Sequence, residues 1–127
     1  MNVYGIGVDI VNIDRIHKMH EKYGDGLAKK ILHPEEMELF NHEKNQVHFI
    51  ANRFAGKEAA AKAFGTGFSK GITLKDFGFI RLDSGKPKLV LSQKMQSLFN
   101  SEGIDKSHVS FSDEPPLSIA FVVLEGK

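Results

Sequence analysis

The chain has no cysteine, no tryptophan and almost no surplus of charge of either sign. Each shortage excludes a class of function. Without cysteine there is no disulfide, no thiolate zinc site and no cysteine nucleophile. A formal charge of +1 gives none of the broad positive field of a nucleic-acid binder, so any basic recognition has to come from a local patch. The lack of tryptophan leaves little to stack on a sugar ring, which argues against a paired-carboxylate glycosidase. Apolar runs are no longer than a strand, and the start of the chain lacks the charged, oily and small-residue succession of a secretory leader. A soluble cytoplasmic protein is therefore the expectation.

What is present is ordinary for a globular protein: 41% hydrophobic and 26% charged residues in 127. That length makes one domain, residues 1–127, large enough to bury a core but short for a two-lobed enzyme with an internal cleft. Val3 to Val11 alternates as a strand, with Tyr4, Ile6, Val8 and Ile10 on one face and Gly5, Gly7 and Asp9 on the other. The two glycines clear space beside the Asp9 carboxylate for a ligand or for another backbone. They are no dinucleotide fingerprint, because the third glycine is missing and the strand continues through them instead of turning into a helix. Asn12 or Asp14 caps a helix that runs to Tyr23 and stops at Gly24. Its cations Arg15, Lys18 and Lys22 line one exposed stripe, read either as a solvated face or as a docking surface for an acidic partner. His17 and His20 are three apart but lack the further ligands a metal site needs.

A helical turn over Gly26–Leu32 precedes a helix from Pro34, whose Glu35 and Glu36 suit its N-terminal dipole. The longest periodic stretch is Gln46 to Gly67. Val47, Ile50, Ala51, Phe54 and Ala61 predict a buried stripe at helical spacing, and Glu58 and Lys62 fall inside it. Charge on an oily face is costly unless paired or bound, so this placement marks a site or an internal Glu58–Lys62 pair. Gly65 ends the helix, and the loop TGFSKG that follows fails as a phosphate loop because the helix precedes its glycines. Thr73–Leu82 and Pro87–Leu91 then read as a hairpin across Asp83–Gly85. Ser92 caps a helix stopping at Gly103. Ser107–Ser112 alternates with Val109 and Phe111 inward and with His108, Ser110 and Ser112 opposite. Asp113–Pro116 turns the chain into a closing strand, Leu117–Leu124. The order is a strand, three helices, a hairpin, a helix and a hairpin. That is an α+β fold with a largely antiparallel sheet packed with a long central helix.

Asp9 and Glu58, two hard oxygen donors in a chain without thiolates, suit Mg²⁺, which takes one or two carboxylates and fills its other positions with water and substrate phosphate. A Ser110–His108–Asp113 triad is rejected, since a regular strand offers no nucleophile elbow.

Four segments, GIGVDIVNIDRI, RFAGKEAAAKAFGTG, GKPKL and HVSFSDE, resemble in this order the holo-acyl-carrier-protein synthases, the short, single-copy class of 4'-phosphopantetheinyl transferases. The resemblance covers nearly the whole chain. It implies that fold and a Mg²⁺-dependent transfer of the 4'-phosphopantetheine arm of coenzyme A to a serine of apo acyl carrier protein, releasing adenosine 3',5'-bisphosphate, in support of fatty acid biosynthesis. It implies Asp9 and Glu58 as metal ligands, Glu58 or a metal-bound water as base, and Lys62 as the cation on the departing phosphate. Arg53, Gly65, Pro87, His108 and Ser110 match the coenzyme-binding surface, basic groups suiting the 3'-phosphate. Single-copy members form homotrimers with coenzyme A between subunits, and their acidic carriers turn the Arg15, Lys18 and Lys22 stripe into a docking surface. Many relatives have histidine at Asp113, so no role transfers to it, and Gly56 stands where alanine is common. Two rival readings stay open: a coenzyme-binding module without transfer, and a structural oligomer with an interfacial Glu58–Lys62 pair.

Overall fold

The structure, a computed structural model, describes residues 2–127; Met1, the first residue of the expected domain, lies outside it. Its elements are β1 (Asn2–Asn12), α1 (Ile13–Tyr23), α2 (Asp25–Ile31), α3 (Pro34–Phe40) and α4 (Gln46–Phe64). A 3₁₀ turn (Leu74–Asp76), β2 (Phe77–Arg81), β3 (Pro87–Leu91), α5 (Gln93–Ser101), β4 (Ile104–Glu114) and β5 (Leu117–Gly126) follow. All strand pairs are antiparallel, in a three-stranded sheet ordered β1-β5-β4 and a hairpin of β2 and β3. The expected α+β architecture with a long central helix is what forms.

Local chemistry sets most boundaries. The Asn12 side chain accepts from the Asp14 N–H to start α1, the Ser92 side chain accepts from the Met95 N–H to start α5, and Gly65, at φ 106°, closes α4 in the left-handed region. The strand expected from Thr73 begins only at Phe77. Asp76 instead accepts the Thr73 N–H at 2.8 Å and the Ser92 hydroxyl at 2.7 Å, which curls Leu74–Asp76 into a 3₁₀ turn. The strand expected over Ser107–Ser112 is longer, because Asp113 and Glu114 still pair with Ser118 and Leu117.

The core forms where α4 lies across the three-stranded sheet. Ala59, Ala60, Ala63, Ala120, Val122 and Leu124 are buried there. Gly5 and Gly7 decide how close the helix comes. A Cβ on either would sit 1.9 Å from a carbonyl oxygen of α4, that of Ala63 or Ala59 respectively. The glycine face of β1 therefore makes room for another backbone, and the helix drives into it. The apolar face of the strand is left outward: Ile6 is 61%, Val8 49% and Ile10 59% exposed. Tyr4 leaves that face, because the register shifts between Val3 and Gly5 and its ring stacks on Phe64 of α4.

The expected oily stripe on α4 needs correction. Strands, α1, α2 and the hairpin surround the helix, so burial extends around most of its circumference. Phe54 and Glu58 are only half-buried and Lys62 is exposed, so the line that carries them is the open side of the helix. The charge set deep in the oily interior is Lys57, which is fully buried.

Candidate active site

β1 and α4 bring together residues far apart in sequence. Lys62 Nζ donates to Asp9 Oδ1 and to the Val8 carbonyl, both at 3.1 Å. Glu58, one turn before Lys62, faces the same corner. Burial and the Asp9 carboxylate push the Glu58 carboxyl up, while Lys62 and Arg15 pull it partly back. Lys62 thus pairs with Asp9 across the two elements. Gly65 caps the helix immediately beyond.

The repulsion that the Asp9 carboxylate exerts on Glu58 is relieved by a cation between them. The described residues hold no cluster of three or more acidic or histidine side chains that could cage a metal. Asp9 and Glu58 therefore fit a Mg²⁺ that takes its remaining ligands from water and phosphate, and do not fit a metal held wholly by protein.

The other expected residues lie in two further places. Arg53 is buried at the floor of a cleft of about 700 Å³ between α3, α4 and β2. Its guanidinium lies 4.0 Å from the centre of the Phe49 ring, and Nη1 donates to Asn52 Oδ1 at 3.2 Å. Arg81 shares that cleft, and Pro87 opens β3 directly opposite it. His108 and Ser110 lie on β4 beside Val123 and Phe121, which are in register with Ile6 and Val8. They therefore share the sheet face turned away from α4. One chain brings Asp9, Glu58 and Lys62 together but does not bring His108 and Ser110 to them.

Sequence reasoning missed four groups. Arg81 lines the cleft with Arg53. His48 Nε2 lies 2.9 Å from Asp113 Oδ2, and Asp113 also accepts from the Ser118 hydroxyl. Burial would raise the Asp113 carboxyl, but hydrogen bonds from Ser118, His48 and Asn52 outweigh it and hold it low. The other two are Glu36 and Lys57, joined by a fully buried ion pair. The small residues Ala55 and Gly56 before Lys57 and Ala60 and Ala61 one turn after it are the signal in the sequence. Gly56 also has a physical reason, since a Cβ there would come within 2.5 Å of the Phe79 ring.

The family model described as the 4'-phosphopantetheinyl transferase superfamily matches residues 5–120. The chain belongs to that superfamily, and within it to the holo-[acyl-carrier-protein] synthases. The particular relatives support both steps. The holo-[acyl-carrier-protein] synthase of Maridesulfovibrio salexigens is 45% identical over 97% of this chain and 98% of its own, and that of Hamiltonella defensa 43% over 99% and 100%. The crystal structure of the Neisseria meningitidis synthase superposes with a TM-score of 0.92 at 38% identity, covering 97% of this chain and 98% of that one. The Helicobacter pylori synthase, solved in complex with coenzyme A, superposes with a TM-score of 0.81 at 32% identity, over 94% and 99%.

Proposed function

We propose that this single domain, residues 1–127, transfers the 4'-phosphopantetheine arm of coenzyme A to a serine of apo acyl carrier protein, in the cytoplasm and in support of fatty acid biosynthesis. The observation that carries this is the convergence of Asp9, Glu58 and Lys62, with the lysine ammonium 3.1 Å from the Asp9 carboxylate.

The serine hydroxyl attacks the phosphorus that bears the pantetheine arm. The new P–O bond forms as the bridging P–O bond of the pyrophosphate breaks, and adenosine 3',5'-bisphosphate leaves with the electron pair. Glu58 takes the hydroxyl proton. Lys62, at the exposed end of the helix, turns from Asp9 to the departing phosphate and offsets its growing charge. Asp9 and Glu58 hold Mg²⁺, which when bound neutralises the pyrophosphate. Arg53, with Arg81 beside it and Pro87 across the hairpin, receives the 3'-phosphate end of the coenzyme, and Gly65 lets the chain turn away close to the phosphates.

His108 and Ser110 serve a neighbouring subunit. The face they share with Val8, Ile10 and the 43% exposed Phe121 is apolar and uncovered, which supports a homotrimer with coenzyme sites between subunits. The acidic carrier docks on Arg15, Lys18 and Lys22, all exposed on α1. Beside them a groove of about 410 Å³ lined by Met19, Tyr23, Phe54 and Leu74 offers apolar contact, and Phe54 lies one turn before Glu58.

The test is incubation with apo carrier protein, coenzyme A and Mg²⁺, followed by mass spectrometry of the carrier. A phosphopantetheine adduct is expected, and its absence with folded protein sinks the reading. Glu58→Gln should abolish transfer and leave the oligomer intact; loss of the oligomer instead favours a structural role for the charged corner.

A further inference from the structure

Behind the cleft sits a charge cluster that the proposed transfer does not use. Glu36 of α3 is fully buried. One carboxylate oxygen accepts from Lys57 Nζ and from the His33 N–H at 3.1 Å; the other accepts from the Phe79 N–H at 2.8 Å and lies 3.9 Å from Arg53 Nε. Lys57 also donates to the Phe77 carbonyl. A single carboxylate thus ties together α3, α4 and β2, the elements that wall the cleft holding Arg53 and Arg81.

Arg53 is unusually exposed to the influence of this cluster. It is only 8% accessible, and its Nε is buried without a hydrogen-bond partner. Burial lowers the proton affinity of the guanidinium, and Glu36 is the first of the charges that oppose the loss. Phe49 holds the plane of the group and Asn52 one of its nitrogens, so the attraction of Glu36 fixes the remaining freedom. Were the cluster only structural glue, a well-packed apolar pair would serve equally well.

We infer that Glu36 is a positioning residue for coenzyme binding, directing the Arg53 guanidinium to the cleft from a buried place where it never touches the ligand. This rests on the reading that Arg53 meets the 3'-phosphate of coenzyme A. The experiment compares KM for coenzyme A with KM for 3'-dephospho-coenzyme A, because the ratio reports the grip on that phosphate and not the general soundness of the fold. Wild type should favour coenzyme A, and Arg53→Ala should collapse the preference. Glu36→Gln, which keeps the size of the side chain and one of its two acceptor oxygens but loses the charge, should cut the preference about tenfold, the scale of one charge-assisted hydrogen bond. Where that variant folds poorly, Glu36→Gln with Lys57→Met removes the stranded ammonium and gives the same readout. A folded Glu36 variant with the wild-type preference overturns the inference while leaving the Arg53 reading intact. An unchanged preference in Arg53→Ala overturns the Arg53 reading, and the inference with it.

Discussion

Helix α4 carries two lysines that meet carboxylates from other elements, and the two pairs lie in opposite environments. Lys57 and Glu36 are both fully buried, whereas Lys62 is 53% and Asp9 18% exposed in side-chain terms. The inner pair has lost its water, so each charge depends on the other and on the Phe77 and Phe79 backbone groups. The outer pair keeps enough water to exchange partners. What separates them is burial: the inner pair holds elements together, and the outer pair is available for chemistry.

Removing one partner from each pair gives the widest contrast. Lys57→Met strands the Glu36 carboxylate in the interior and should cost about 3–5 kcal/mol in urea unfolding. Lys62→Met should cost less than about 1 kcal/mol, yet lower the transfer rate by about 10²–10³-fold through loss of charge stabilisation. Equal stability losses for the two variants would break the comparison.

Gly7→Ala attacks the approach that brings Asp9 to α4. The added Cβ would meet the Ala59 carbonyl at 1.9 Å, and neither backbone can yield locally. A loss of about 3 kcal/mol is expected, at the upper end of overpacking costs. Because β1 must back away from the helix, the Mg²⁺ concentration needed for half-maximal activity should also rise. A variant of wild-type stability and metal requirement would show that the close approach is not what assembles the outer pair.

Gly56→Ala tests the inner side more gently. Alanine gains about 1 kcal/mol of helix propensity, but its Cβ would press within 2.5 Å of the Phe79 ring. That ring is itself buried and packed edge-on against Phe111 at 5.3 Å between centroids. Overpacking of about 1–3 kcal/mol should therefore win, giving a net loss near 1 kcal/mol in thermal unfolding. Phe79→Leu should recover it in the double variant.

How far these pairs were legible in the sequence differs in the same way. The helix was readable from its period and from Gly65, and β1 from its alternation. Asp9 beside Gly5 and Gly7 announced a cleared strand face, although not that a helix backbone would fill it. Helical spacing sets the Glu58–Lys62 line on a buried stripe, and it lies instead on the open side of α4. Periodicity gives the angle of a residue around a helix but not what packs there. Lys57 could not be partnered from sequence, because Glu36 lies on another helix and its spacing from His33 reads equally well as a capping box, which it also forms. His108 and Ser110 were correctly placed on the polar side of their strand, but which way that side faces depends on α4 covering the other.

Glu58 gives the smallest effect and the finest test of the outer pair. Burial and Asp9 raise its folded carboxyl above the ordinary value of 4.5. The proton therefore binds the folded chain more tightly than the unfolded one. The stability this confers is fully present below the unfolded pKa and is lost as pH rises through the folded one. At neutral pH the ionised Glu58 should slightly strain the fold, so Glu58→Gln should raise Tm by about 1–3 °C at pH 7. The advantage should shrink as pH falls toward the ordinary carboxylate range, where the wild-type side chain takes up its proton. With Mg²⁺ added, wild type should close the gap at pH 7 while the variant does not respond, since a cation relieves the same repulsion that the proton does. A Glu58→Gln variant with a pH-independent Tm difference and a Mg²⁺ response equal to wild type would separate Glu58 from Asp9, and would leave Lys62 as the only charge that Asp9 answers to.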